Sequence, residues 1–156
     1  MIELNMEFSL GNLAVYVSLW SRIENKFIKT HVIFDTGAHI THIDTNALVN
    51  LGYDLNNAEK GYISTVGNSN IQISNMVIDN VKIGDFETGA VLVNFSELST
   101  INAPIIIGLN IIKEFNVILD FKKMKMFLEP NFDENSLISA NQFKKSDSRF
   151  GMWNIR

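Results

Sequence analysis

The reading of this sequence turns on Val32-Ile33-Phe34-Asp35-Thr36-Gly37-Ala38, where an apolar run breaks off into a carboxylate, a hydroxyl and a glycine. Consecutive bulky apolar residues bounded by turn formers read as a buried strand. A carboxylate at the end of such a strand lies at the rim of a dry core, where a charge is costly unless it is paired or shares a proton. Gly37 lets the backbone turn sharply and come close to a ligand. The stretch therefore reads as an acid carried on a tight turn, with a hydroxyl neighbour free to hydrogen-bond. Asp and Gly are also ordinary turn residues, so the tripeptide alone is equally compatible with a plain strand-ending turn, and the rest of the chain has to discriminate.

The 156 residues suffice for one domain with its own core, and the balance of 46% hydrophobic to 19% charged residues is that of a globular chain. A net charge of −4 offers no surface for nucleic acid. There is no cysteine, which excludes disulfides, thiolate nucleophiles and zinc–cysteine sites and suits a reducing, cytoplasmic setting. No segment reaches the apolar length of a membrane span. Glu3 and Glu7 stand where a secretory leader would be basic. With no phosphate-loop pattern either, no cofactor, no metal, no nucleic acid and no membrane partner is expected.

Patterning along the chain is mostly that of short strands. Residues 2–9 read as a weak strand with Ile2, Leu4 and Met6 on one face, and Gly11-Asn12 as a turn. Leu13, Val15, Val17 and Leu19 alternate with Ala14, Tyr16 and Ser18, a half-buried strand, and residues 27–34 return to Asp35. Asp44 is placed to cap a short helix over 45–51 that Gly52 ends. Residues 61–73 form a hairpin with a turn-rich tip at 67–70. Strands are expected over 76–83, 90–95 and 105–107, a short helix over 109–115, and a last hairpin from 117–121 to 124–128 around Lys122-Lys123. Residues 131–156 change texture, with isolated Leu137, Ile138, Phe143, Phe150 and Trp153 in a polar background. They read as a loosely ordered tail or a segment that packs on a partner. Many short strands and two short helices imply an all-β fold, a barrel or sandwich.

Phe34-Asp35-Thr36-Gly37-Ala38 with Thr41, the glycine-bearing hairpin at 61–73, and Ile105-Ile106-Ile107-Gly108-Leu109-Asn110 followed by Val117-Ile118-Leu119-Asp120-Phe121 occur in the order of a retropepsin-like aspartic protease. The resemblance covers about residues 12–130 and is of the bacterial or cellular single-domain type. It implies an acid-protease fold, a closed β-barrel or sandwich, over 1–130, with 131–156 as a C-terminal tail. It also implies peptide hydrolysis by two carboxylates that share a proton, one as base toward a water and the other polarising the carbonyl. This sequence has a single Asp-Thr-Gly, so the second carboxylate has to come from another copy, on the axis of a homodimer.

Carried over from the family, Asp35 is the catalytic acid and Thr36 braces the paired turns. Gly37 and Ala38 adjoin the substrate backbone. Thr65, Val66 and Gly67 form a flap, and Ile106 lines the cleft. The substrate expected is an extended peptide with bulky apolar side chains. Two positions depart from the viral pattern: His39 replaces an acid, and Leu109 replaces the arginine that pairs with it. Both partners are absent together, so no charge is stranded. The alternatives are weaker. His31, His39 and His42 have no clustered acid or thiol to complete a metal site. Ser64 and Ser69 lack a nucleophile-elbow context. A non-catalytic dimeric peptide-binding module on the same fold is the competing reading, motivated by His39 and Leu109. A tail that occupies the cleft is a further one.

Overall fold

The computed structural model describes residues 1–65, 68–98 and 103–131. Alternation builds its central hairpin. Strand β3 (Asn12–Ser21) buries Val15, Val17 and Leu19 and turns Tyr16 outward. It pairs antiparallel with β4 (Lys26–Phe34), Ala14 opposite Ile33 at one end and Ser21 opposite Lys26 at the other. This hairpin delivers Asp35 to the end of a core strand, as the pattern predicts.

The remaining elements are β1 (Ile2–Asn5), β2 (Glu7–Ser9), β5 (His42–Asp44), α1 (Thr45–Asn50), β6 (Glu59–Thr65), β7 (Asn68–Ile78), β8 (Val81–Ile83), β9 (Phe86–Glu87), β10 (Val91–Ser96), β11 (Ile105–Ile107), α2 (Leu109–Ile112), β12 (Phe115–Asp120) and β13 (Lys125–Pro130). The larger sheet runs β6-β7-β10-β5-β11-β4-β3-β8-β9, with β2 also on β3, and the smaller runs β1-β13-β12. Strand β11 is inserted between β4 and β5, parallel to β4 and antiparallel to β5. A late apolar segment is thereby laid beside the Asp35 strand. The core gathers Val15, Val32, Phe34, Ile43, Val93, Phe95, Ile105 and Ile107 with Leu48 of α1, Ile111 of α2, and Met126 and Leu128 of β13. Each such fully buried side chain contributes about 1.5–3 kcal/mol relative to exposure.

The sequence expectations hold for the hairpin to Asp35, the Asp44-capped helix and the hairpin at 61–73. Four others are corrected. Residues 2–9 are not one strand. Met6 is buried and its N–H donates to the Met124 carbonyl at 2.9 Å, so the chain crosses from the smaller sheet (β1) to the larger (β2). Residues 76–83 break at Asp79-Asn80, where the Asp79 N–H donates to the Tyr53 hydroxyl and its carboxylate takes Arg22. The helix expected over 109–115 stops at Ile112, because Phe115 enters β12 opposite Pro130. No closed barrel forms: among the described residues the larger ladder is open, ending at β6 and at the two-residue β9, which pairs only with β8. Of the tip expected at 67–70, residues 68–70 belong instead to β7, and Val66, Gly67 and the tail beyond Asn131 lie outside the described residues.

Candidate active site

Asp35 leaves the sheet one residue after β4 ends, yet its N–H still continues the ladder by donating to the Ile107 carbonyl at 3.0 Å. The Gly37 N–H donates to Asp35 Oδ1 at 2.8 Å, and the Ala38 N–H to the Asp35 carbonyl at 3.3 Å. The carboxylate is thus oriented by its own turn while half-buried, with Thr36 and Gly37 exposed beside it. A Cβ at position 37 would stand 3.1 Å from Asp35 Oδ1. A side chain there would crowd the carboxylate, which would have to shift by a few tenths of an ångström.

Behind the turn the backbone is stapled to the start of α2. Thr41, with no exposed surface, directs both its N–H (2.8 Å) and its hydroxyl (2.9 Å) to Asn110 Oδ1. Its hydroxyl oxygen accepts the Gly108 N–H at 3.1 Å, and Asn110 Nδ2 donates to the Leu92 carbonyl at 2.9 Å. The Leu109 N–H donates to the Ala38 carbonyl at 2.8 Å and the Asn110 N–H to the His39 carbonyl at 3.2 Å. At Gly108 a Cβ would meet the Ile40 carbonyl carbon at 2.7 Å and the Ala38 oxygen at 2.9 Å, all backbone that cannot swing away. Residues 38–39 and 109–110 are thus tied through their main chains, with His39 exposed and Leu109 half-buried.

Asp35 follows Ile33 by two positions, so alternation turns its side chain to the same face of the sheet. Ile33 lies opposite Ile106, Ile106 opposite His42, His42 opposite Asn94 and Asn94 opposite Asn75. These residues form one transverse row on the side away from the main core cluster, whose members Phe34, Ile43, Val93 and Ile107 point the other way. His42 Nε2 lies 2.8 Å from Ser96 Oγ, and burial pushes the imidazole pKa down against a smaller upward pull from Asp44.

The sequence-predicted residues Asp35, Thr36, Gly37, Ala38 and Ile106 are brought together at the β4–β11 edge. Thr65 lies in β6, paired with Asn68 beyond a register shift. Val66 and Gly67 are outside the described residues. The Asn110 brace and the polar row escaped sequence reading. The only signal for the brace was a polar residue inside an apolar helix start. Among the described residues no group of three or more His, Asp or Glu is placed to hold a metal ion, and no helix is long and apolar enough to cross a membrane.

Residues 21–114 match the family described as "gag-polyprotein putative aspartyl protease". No curated protein matches the chain. Among solved structures, a retropepsin-like aspartic protease from Rickettsia conorii is similar in fold, with a TM-score of 0.59 over 81% of this chain and 89% of that one, at 20% sequence identity.

Proposed function

The chain belongs to the retropepsin-like aspartic protease family, and from that membership we propose that it is an aspartic endopeptidase that works as a homodimer. The observation that carries this is the Asp35 carboxylate, aimed by the Gly37 N–H on an exposed turn that is stapled from behind to Gly108 and Asn110. Such a turn holds a reacting group rigidly while leaving its front open.

In this reading a two-fold axis sets the Asp35 side chains of two copies face to face. Like charges that close share one proton. The ionised carboxylate takes a proton from a water, whose oxygen attacks the scissile carbonyl carbon. The protonated partner hydrogen-bonds the carbonyl oxygen. Proton transfer to the amide nitrogen then lets the C–N bond break, giving a carboxylic acid and an amine. Thr36 would brace the two turns across the axis, and Gly37 and Ala38 would line the peptide backbone. The tip at Thr65, Val66 and Gly67 would close over the substrate and exclude water, and Ile106 would line the cleft. The catalytic domain would be residues 1–130, with 131–156 as an appended tail, and the cysteine-free composition supports action in the cytoplasm.

The test is Asp35→Asn in the full chain. Cleavage of a peptide mixture, followed by mass spectrometry, should disappear while the thermal unfolding midpoint stays near that of the wild type. Cleavage that survives the substitution overturns the assignment. Saturable peptide binding without product in the wild type, from acid to neutral pH, would make the protein a binding module instead.

A further inference from the structure

We propose that the sheet face beside Asp35 carries a polar side-chain subsite, walled by His42, Ser96, Asn94 and Asn75, that takes a substrate residue ending in a neutral amide or hydroxyl. The proposal rests on the peptidase reading and deepens it by naming the substrate's chemistry.

The transverse row changes character partway across. Beside Asp35 it is apolar, Ile33 and then Ile106. From β5 onward it is polar: His42, Asn94 and Asn75, with Ser96 two residues along β10 from Asn94 and so on the same face. Neighbouring strands are about 4.8 Å apart, so His42 lies about 10 Å, Asn94 about 14 Å and Asn75 about 19 Å across the sheet from β4. An extended peptide places same-face side chains about 7 Å apart. A peptide with its scissile bond at Asp35 therefore has the reach to lay one side chain on Ile106 and another on the polar stretch.

Two observations support the proposal, on a stretch where Asn94 and Asn75 are 7% and 5% exposed, as closely covered as Ile33 and Leu92 of the same face. Asn75 Oδ1 is buried and, among the described residues, has no hydrogen-bond partner. A buried acceptor left unpaired is costly, and a donor on a ligand relieves that cost. His42 and Ser96 hold each other at 2.8 Å, leaving the hydroxyl with further hydrogen-bonding capacity. The charges nearby are otherwise engaged or outward. The Asp44 carboxylate accepts the N–H groups of Asn46, Ala47 and Leu98, and Glu59, opposite Asn75, is exposed. Burial holds the His42 imidazole toward its neutral form. Among the described residues the stretch thus offers dipoles and no free charge pointing into it, which suits Asn, Gln, Ser or Thr over Leu or Phe on one side and over Asp or Lys on the other. The bulky apolar preference expected from sequence applies to the Ile106 position and stops there.

The experiment uses the full chain and a peptide library randomised one position at a time. Wild-type cleavage, read by mass spectrometry, should show one position near the cut enriched in amide and hydroxyl side chains. Asn75→Leu and His42→Val should each move the kcat/KM ratio between a Thr-bearing and a Val-bearing peptide by about tenfold toward valine. Ser96→Ala is the milder variant and should move it less in the same direction. In the absence of peptide, Asn75→Leu should not lower the unfolding midpoint, whereas an asparagine kept for structure alone would be missed. A parallel arm measures binding of the same labelled peptides to Asp35→Asn by fluorescence anisotropy. If the wild type cuts nothing, the peptidase reading fails, and the anisotropy arm still tests the subsite. Apolar preference at every position in either arm, or a preference unmoved by His42→Val and Asn75→Leu, overturns the proposal.

Discussion

Thr41 has no exposed surface and directs both its N–H and its hydroxyl to one oxygen, Asn110 Oδ1. Removing that oxygen leaves two donors buried without a partner, each costing about 1–3 kcal/mol. Asn110→Ala should therefore lower stability by about 2–4 kcal/mol, read from urea unfolding. Asn110→Asp keeps the acceptor but sets an oxygen against the Leu92 carbonyl where a donor stood, so it should recover only part of the loss, and most at acid pH where the carboxyl is protonated. Equal losses in the two variants would show that the amide merely fills space. His42 acts through its protonation. Its folded pKa lies below the ordinary 6.5 because burial disfavours the cation. As pH falls below that value the unfolded chain takes the proton first, so the contribution to stability is complete above 6.5 and is lost on acidification toward the folded value. Urea midpoints measured between about pH 7 and about pH 5 should fall in the wild type and fall less in His42→Gln. Parallel curves for the two would exclude His42 as the source.

Helix α1 shows how a short element is held by its cap. Six residues cannot sustain a helix by propensity. Asp44 Oδ2 accepts the N–H groups of Asn46 and Ala47 at 3.0 and 3.3 Å, and Oδ1 accepts the Leu98 N–H at 2.8 Å. One carboxylate caps the helix and ties down the segment after β10. Asp44→Ala should cost about 1–2 kcal/mol and speed amide exchange at Leu98 as well as in α1. Exchange confined to α1 would show that the Leu98 bond carries little. This helix was legible in the sequence because cap, helix and Gly52 stop are contiguous. So was the hairpin to Asp35, where a period of two needs no distant partner. The elements that were misread are those settled by distant pairing. Ile2, Leu4 and Met6 keep one alternation through what is in fact a change of sheet, made by a bond from Met6 to Met124. Leu109, Ile111, Ile112 and Phe115 carry helical spacing, but pairing of β12 with β13 claims Phe115. The site divides in the same way. Asp35, Thr36 and Gly37 announce themselves as a local motif, whereas Thr41 and Asn110 stand 69 positions apart and nothing local links them.

The chain supplies one Asp-Thr-Gly turn, and hydrolysis by a shared-proton pair needs two carboxylates. If copies of the chain provide them to one another, activity belongs to the pair, and the arithmetic of mixing reveals it. Wild-type chains exchanged with an equal amount of Asp35→Asn chains form homodimers of each kind and heterodimers, and about a quarter of the pairs keep both carboxylates. Specific activity per wild-type chain should then fall to about half, and with excess variant it should fall further toward zero. Independent protomers would keep their activity per wild-type chain at every ratio. Dilution gives a second reading: the mass in solution should move from twice 17.6 kDa toward the single chain, and specific activity should fall with it. Because the variant differs by one atom pair on an exposed turn, a drop on mixing reports a missing partner carboxylate and not a damaged fold. A chain that retained full activity as a monomer would have to draw its second acid from within, and the described residues place no other carboxylate in the hydrogen-bonded turn around Asp35.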